Sequence, residues 1–366
     1  TLFRSLMSEP VVLLEVPSPN DNGVALVEQD DRVACFYLMT EIEGEKRIRT
    51  CWVRNLQPAP DVLDVAGMRE GIPPMMPGAH CNHPDGAVPL DANNLRIVWA
   101  EEGDAAALYE SSELLAVIPS WSGSGGFDGF ARDCIGSGPL AWELAASNIS
   151  HERYAKADTY WRSWDDESIW TQYRDDLLGS LQKAFGQQSR YFAIDGGNWP
   201  PKALAWFNHG PSAILSTVGV SMRSQPAVEL SVEDPSVCRR IELGACLDKN
   251  IGDDSIKAVA AYISGQSGLP WNHNTWLGHG HTLPSDVFDQ LSAGRLPFAL
   301  LSIQHPATSQ VSLPTFRGDP VSILWMIPIS VRERELAIQS GSEALLGRLW
   351  QLGAEHMTSL ARAEVI

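Results

Sequence analysis

Short runs rich in β-branched and aromatic residues open the chain. They fall at Val11–Leu14, Gly23–Val27, Val33–Met39 and Arg47–Val53, and predict strands. Asn20-Asp21-Asn22-Gly23 and Glu43-Gly44-Glu45 predict the turns between them. Val33–Leu38 is apolar throughout, as a strand buried on both faces requires. Prolines and glycines then crowd residues 58–94, which predicts an irregular excursion with a short helix near Asp61–Met68. Two strands follow, Leu95–Trp99 and Leu114–Ile118, with a short helix expected between them from Gly103 or Asp104 to Tyr109. A glycine-rich loop spans Ser122–Gly129, and no further strong strand is expected before Ala141.

Residues 147–166 are polar, charged and aromatic, and are expected to connect two separately packed units. Beyond them Ile169, Trp170, Tyr173, Leu177, Leu178, Leu181, Ala184 and Phe185 recur at helical intervals, with Asp165-Asp166-Glu167 at the dipole-favoured start and Gly186 at the end. Strands are predicted at Ala213–Met222, Arg240–Leu247, Phe298–Gln304 and Val321–Ile329. Helices are predicted at Ser255–Gly265, Ser285–Leu291 and twice after Ile329, where Ser330 and Glu333 form a capping box. The fold class expected is α/β or mixed α+β. The boundaries expected are an N-terminal α/β region over 1–150, a second domain over 165–352 and a helical C-terminal tail over 353–366.

Composition narrows the functional classes. Of 366 residues, 44% are hydrophobic and 20% charged, which excludes a disordered, collagenous or coiled-coil chain. The net charge of −18 opposes nucleic acid and anionic membrane surfaces. The densest basic run, Lys46-Arg47-Ile48-Arg49, is flanked by Glu41, Glu43 and Glu45 and reads as a hairpin of mixed charge. No apolar run reaches the ~18–20 residues that span a bilayer, and the start lacks a signal-peptide pattern. Six scattered cysteines without a CxxC pair suit a reduced cytoplasmic protein with buried thiols.

Candidate catalytic chemistry is sparse. Gly123, Gly125, Gly126 and Gly129 do not fit a dinucleotide fingerprint and no GKS or GKT follows, so a surface loop is expected and no cofactor. Ser137 lacks the glycines of a nucleophile elbow, and Cys134 beside Arg132-Asp133 reads as a buried small hydrophobe. His279 and His281 flank Gly280, with His273 and His80-Cys81-Asn82-His83 as further donors. They lack a third and fourth ligand at a recognisable spacing, so no metal is expected; the alternative they offer is a metal-assisted hydrolase using His279 and His281. Tryptophan, at 13 residues, outnumbers Phe and Tyr. Trp121, Trp161, Trp164, Trp199, Trp271 and Trp276 sit beside polar or turn residues, where indoles serve either interfaces or core edges.

One stretch has a family likeness. Ala261-Tyr262-Ile263-Ser264-Gly265-Gln266-Ser267, then Trp276-Leu277-Gly278 and His281-Thr282-Leu283-Pro284, resembles the middle of the Suppressor of fused domain. The run Val321–Ser330, continued by Glu333-Arg334-Glu335, Ser340-Gly341 and Leu345-Leu346, resembles that domain's closing strand and helix pair. The resemblance covers about residues 170–350, and residues 1–150 resemble the extra N-terminal region of longer bacterial members. It implies a C-terminal domain of mixed sheet and flanking helices, and a non-catalytic module that binds a protein or an extended peptide. In animals the domain restrains Gli-type transcription factors by gripping such a peptide; bacterial members are regarded as immunity proteins that neutralise toxins. The family's binding tyrosine, aspartate and tryptophan fall on Tyr262, Asn272 and Trp276. Asn272 keeps an acceptor but lacks the charge, so a basic peptide would be held less tightly.

Overall fold

The computed structural model describes residues 9–42, 45–147, 151–272, 275–305, 311–353, 357 and 359–366. Glu43 and Gly44 of the second predicted turn, and His273 among the candidate ligands, lie outside them. Contacts divide the chain into two compact units: residues 1–163 with 229–231 and 271–274, and residues 164–228, 232–270 and 275–366.

In the first unit β1 (Val11–Pro17), β2 (Gly23–Gln29), β3 (Val33–Ile42) and β4 (Glu45–Asn55) form an antiparallel sheet in chain order. The interior strand β3 buries Val33, Ala34, Cys35, Phe36 and Leu38, as its unbroken apolar run predicts. Helix α1 (Val65–Arg69) starts where Asp64 accepts a hydrogen bond from Gly67 N at 2.9 Å. A second sheet contains β5 (Leu95–Trp99), β6 (Ala106–Glu110), β7 (Glu113–Ile118), β8 (Phe130–Ala131) and β9 (Trp142–Glu143).

The helix expected before Tyr109 is strand β6. Its alternate residues serve two cores: Ala106 and Leu108 enter the core shared with the first sheet, while Ala107 and Tyr109 join Tyr154 and Ala157. Burial on both faces overrides the helix preference of the alanines. The segment expected as a polar connector carries helix α2 (His151–Arg162), whose Tyr154, Ala157 and Tyr160 are buried. Three-residue spacing of these side chains makes one face apolar despite the charges around it. In the glycine-rich loop, Gly123 at φ +89° opens a short 3-10 turn at Ser124–Gly126. That turn lets Trp121 stack on Phe127 with ring centroids 4.3 Å apart.

The second unit is built on a seven-stranded sheet. In chain order come α3 (Glu167–Phe185), β10 (Gln188–Ala193), β11 (Ala203–His209), β12 (Ser212–Val218), β13 (Ile241–Asp248), α4 (Asp253–Gln266), α5 (Leu269–Asn272, whose last two residues group with the first unit), β14 (Thr282–Pro284), α6 (Asp286–Leu291), β15 (Phe298–Ser302), β16 (Ser322–Ile329), α7 (Val331–Ser340) and α8 (Ser342–Gln351). Strand order is β10-β11-β12-β13-β16-β15-β14, antiparallel except for the parallel β13–β16 pair. The alternation within strands sorts the helices. Leu324 and Met326 of β16 share a core with Ile256, Val259 and Ile263 of α4 and Phe288 of α6. Ile327 and Ile329, of opposite parity, pack with Leu345, Leu346 and Leu349 of α8, and Trp325 meets Phe185 of α3. The expected α+β class holds, with the domain of mixed sheet and flanking helices in the C-terminal part.

Of the expected tail over 353–366, Met357 is helical and residues 359–366 form a turn and irregular backbone. Polar ties hold this end: Arg362 pairs with Glu333 at 2.6 Å, and Val365 N donates to Glu333 Oε1 at 2.9 Å. The predicted capping box is present, with Ser330 and Glu333 bonding each other's backbone amides. Among the described residues no helix is long and apolar enough to cross a membrane.

Candidate binding site around Tyr262 and Trp276

Helix α4 is amphipathic, and its Ile256, Val259, Ala260 and Ile263 face the core. Tyr262 lies at the edge of that face, half-buried, near the helix end. Its hydroxyl donates to Pro284 O at 2.7 Å, and its ring lies 5.9 Å from Phe288. Burial pushes the phenol up to about 12 against a weaker opposing effect of Ser285, so it stays a neutral donor. Tyr262 thus ties α4 to β14 and α6 while leaving part of its ring at the surface.

Asn272 is exposed and ends helix α5. The chain is helical as far as Asn272, because a proline in the first helical turn, here Pro270, lacks only an amide that would have no intrahelical partner. Residues 271–274 group with the N-terminal unit, whereas Tyr262 and Trp276 belong to the C-terminal one.

Trp276 opens a segment without regular structure, residues 275–281, that is nevertheless held at several points. Leu277 N donates to Gln225 Oε1 at 2.8 Å, and Gln225 Nε2 donates to Leu277 O at 3.0 Å. The same Nε2 donates to Cys238 O at 3.1 Å, and Gln225 is fully buried. Further along, Gly280 N donates to Leu301 O and Leu301 N to His281 O, each at 2.8 Å, which joins the segment to β15. Gly280 has φ +85°, and a Cβ there would strike the Ser342 hydroxyl. The half-buried indole of Trp276 packs edge-on against His281, centroids 4.6 Å apart, and over the bare Cα of Gly278.

The two histidines of the hydrolase alternative have protein partners. His279 Nδ1 accepts from Ile303 N at 3.2 Å, so its Nε2 is the protonated nitrogen and donates to Glu343 Oε1 at 2.6 Å. His281 Nδ1 accepts from Gly278 N at 3.3 Å, and burial lowers its pKa, keeping the ring neutral. Both are used to shape the segment. Among the described residues no group of three His, Cys, Asp or Glu side chains could hold a metal ion.

Sequence reasoning missed three buried polar side chains of this unit. Glu242 of β13 is fully buried and accepts from Thr217 Oγ1 at 2.5 Å, Gly219 N at 2.9 Å, and Ser221 N and Oγ at 3.1 and 2.6 Å. Burial raises its pKa against these bonds. Arg240, also fully buried, donates to Asp319 at 2.7 Å and to the carbonyls of Ser221 and Met222. The run Arg239-Arg240-Ile241-Glu242 reads like any strand entry with solvated charges, so only the two-sided burial of β13 distinguishes it. Gln225, between Ser224 and Pro226, carries no local signal at all.

Comparison with known proteins bears on this region. The family model described as Suppressor of fused protein (SUFU) matches residues 200–363. A solved structure, "the Sufu-Fu complex crystal structure", is similar at 14% sequence identity and a TM-score of 0.36, covering 49% of this chain and 84% of that chain. No curated protein matches the chain. The segment bearing Tyr262 and Trp276, the capping box and the closing helices all fall within the matched residues, so the C-terminal part of this chain carries a Suppressor-of-fused-like domain.

Proposed function

We propose that this chain is a non-catalytic protein-binding module that acts in the bacterial cytoplasm as an immunity protein, neutralising a toxin. The observation that carries the reading is the Suppressor of fused match over residues 200–363. Tyr262, Asn272 and Trp276 are the proposed partner contacts. Aromatic anchors bury large area with little rotamer loss, and an exposed amide supplies hydrogen bonds to an extended backbone. The net charge of −18 favours a basic partner, drawn in by the long-range field.

The test is titration of the full chain, at low and high salt, with catalytically dead forms of the proteins encoded by the genes that neighbour its own. Growth rescue on co-expression with the active toxin is the second readout. Binding that weakens with salt, together with rescue, is the expected result. Absence of both would overturn the immunity reading.

A further inference from the structure

The N-terminal unit holds two buried cysteines in an arrangement that the sequence, with 52 residues between them, does not announce. Cys81 and Cys134 are direct partners in an isolated antiparallel bridge. The bridge is closed by Asn82 N donating to Asp133 O at 2.9 Å and Ile135 N donating to His80 O at 3.0 Å. Both bonds come from the flanking residues, so the cysteines occupy a non-hydrogen-bonded position. At such positions side chains leave the same face and Cα atoms approach to ~4.5 Å, inside the range of about 4.4–6.8 Å that a disulfide spans.

The other thiols lack this relationship. Cys51 stands opposite Phe36, Cys35 opposite Trp52 and Glu28, and Cys246 opposite Ile214. Neither sulfur of the pair is committed to a strong bond. Cys134 Sγ donates to Ala141 O at 3.1 Å, and Cys81 Sγ lies 3.4 Å from Asn55 Nδ2 and 3.5 Å from Met76 O. Sulfur is a weak donor and acceptor, so rotation about Cα–Cβ gives up little.

We propose that Cys81 and Cys134 form a reversible cross-strand disulfide with a low-molecular-weight disulfide, such as oxidised glutathione, as oxidant. The thiolate of one cysteine attacks the small disulfide, breaking its S–S bond, forming a mixed disulfide and releasing one thiolate. The second cysteine, as its thiolate, attacks the protein sulfur of that mixed disulfide and expels the other half. The chain loses two S–H bonds and gains one S–S bond; the oxidant is reduced to two thiols. Cys81 is 3% exposed and Cys134 fully buried, and burial pushes the Cys81 thiol up to about 11. Attack on the folded unit is therefore slow, and the bond closes chiefly while the unit folds or opens.

The decisive experiment refolds the full chain in a glutathione redox buffer, then blocks free thiols under denaturing conditions and maps peptides by mass spectrometry. The expected result is a linked peptide joining Cys81 and Cys134, with two of the six thiols lost and no glutathione retained. Cys51→Ser keeps the link; Cys134→Ser abolishes it and leaves a glutathione adduct on Cys81. The oxidised chain melts at a higher temperature, and reductant reverses the shift. Six free thiols after refolding, or a link between any other pair, overturns the proposal. The wild-type map decides the question even if a serine variant fails to fold.

Discussion

Gln225 holds Leu277 by both backbone groups, as a neighbouring strand would. The amide oxygen receives the Leu277 N–H at 2.8 Å and the amide nitrogen reaches its carbonyl at 3.0 Å. A side chain thereby does the work of a ladder where the chain has no strand to offer. The consequence is that Trp276, one residue earlier, projects from a fixed rather than a fluctuating segment.

Replacing Gln225 by Ala leaves the N–H and C=O of Leu277 buried without partners, since Leu277 is itself 3% exposed. Each unsatisfied group costs ~1–3 kcal/mol, so a loss of about 2–6 kcal/mol is expected in urea unfolding. Hydrogen exchange at Leu277 should accelerate more than exchange along β11. Uniform acceleration across the unit would contradict a local clamp.

Arg362→Ala removes the partner of Glu333, a carboxylate that is fully buried and also serves the α7 capping box. Breaking a buried ion pair from one side costs ~3–5 kcal/mol, because the remaining charge keeps its desolvation penalty. The double variant Arg362→Met with Glu333→Gln should be milder than Arg362→Ala alone. A loss below ~1 kcal/mol for Arg362→Ala would mean that water reaches the site.

His305 is 5% exposed, and burial lowers its pKa from 6.5 to about 4. The unfolded chain therefore binds a proton more readily than the folded one. Stability from this group is complete above pH 6.5 and is lost as pH falls toward 4, by roughly 3 kcal/mol in total. His305→Gln should flatten that slope in denaturation curves taken across the window. An unchanged slope would assign the acid sensitivity elsewhere.

Tyr262→Phe deletes the hydrogen bond to Pro284 O and should cost ~1 kcal/mol of stability. Partner affinity separates the two roles of this region. If the proposed partner site is correct, Trp276→Ala should weaken partner binding by roughly thirtyfold, about 2 kcal/mol, with folding unchanged by circular dichroism. Full affinity in a folded Trp276→Ala chain would remove this indole from the interface.

Several elements were legible because each is specified by its own residues. The helix over Glu167–Phe185, the capping box at Ser330 and the strand Ser322–Ile329 depend on spacing, on a hydroxyl three residues from a carboxylate and on an apolar run. The readings that failed are those where two faces or two distant segments decide. Ala105-Ala106-Ala107 favours a helix alone, and becomes a strand between β5 and β7 because both faces are covered. Tyr154 and Tyr160 look like surface aromatics among charges until a core takes them in. Strand β11, over Ala203–His209, went unread for the same reason: its ladder partners lie outside its own sequence.

The chain by itself determined the α+β class, most strands of both sheets in the first hundred and twenty residues, and the family likeness that named Tyr262, Asn272 and Trp276. Local periodicity and short-range hydrogen bonding suffice for these, since they act within a few residues. Tertiary structure alone decided that Gln225 meets Leu277, that Glu242 and Arg240 are buried with partners, and that Cys81 faces Cys134. Those pairings join residues far apart in the chain. Their energy comes from satisfying polar groups that the core has already cut off from water, so their partners exist only once the sheets have assembled.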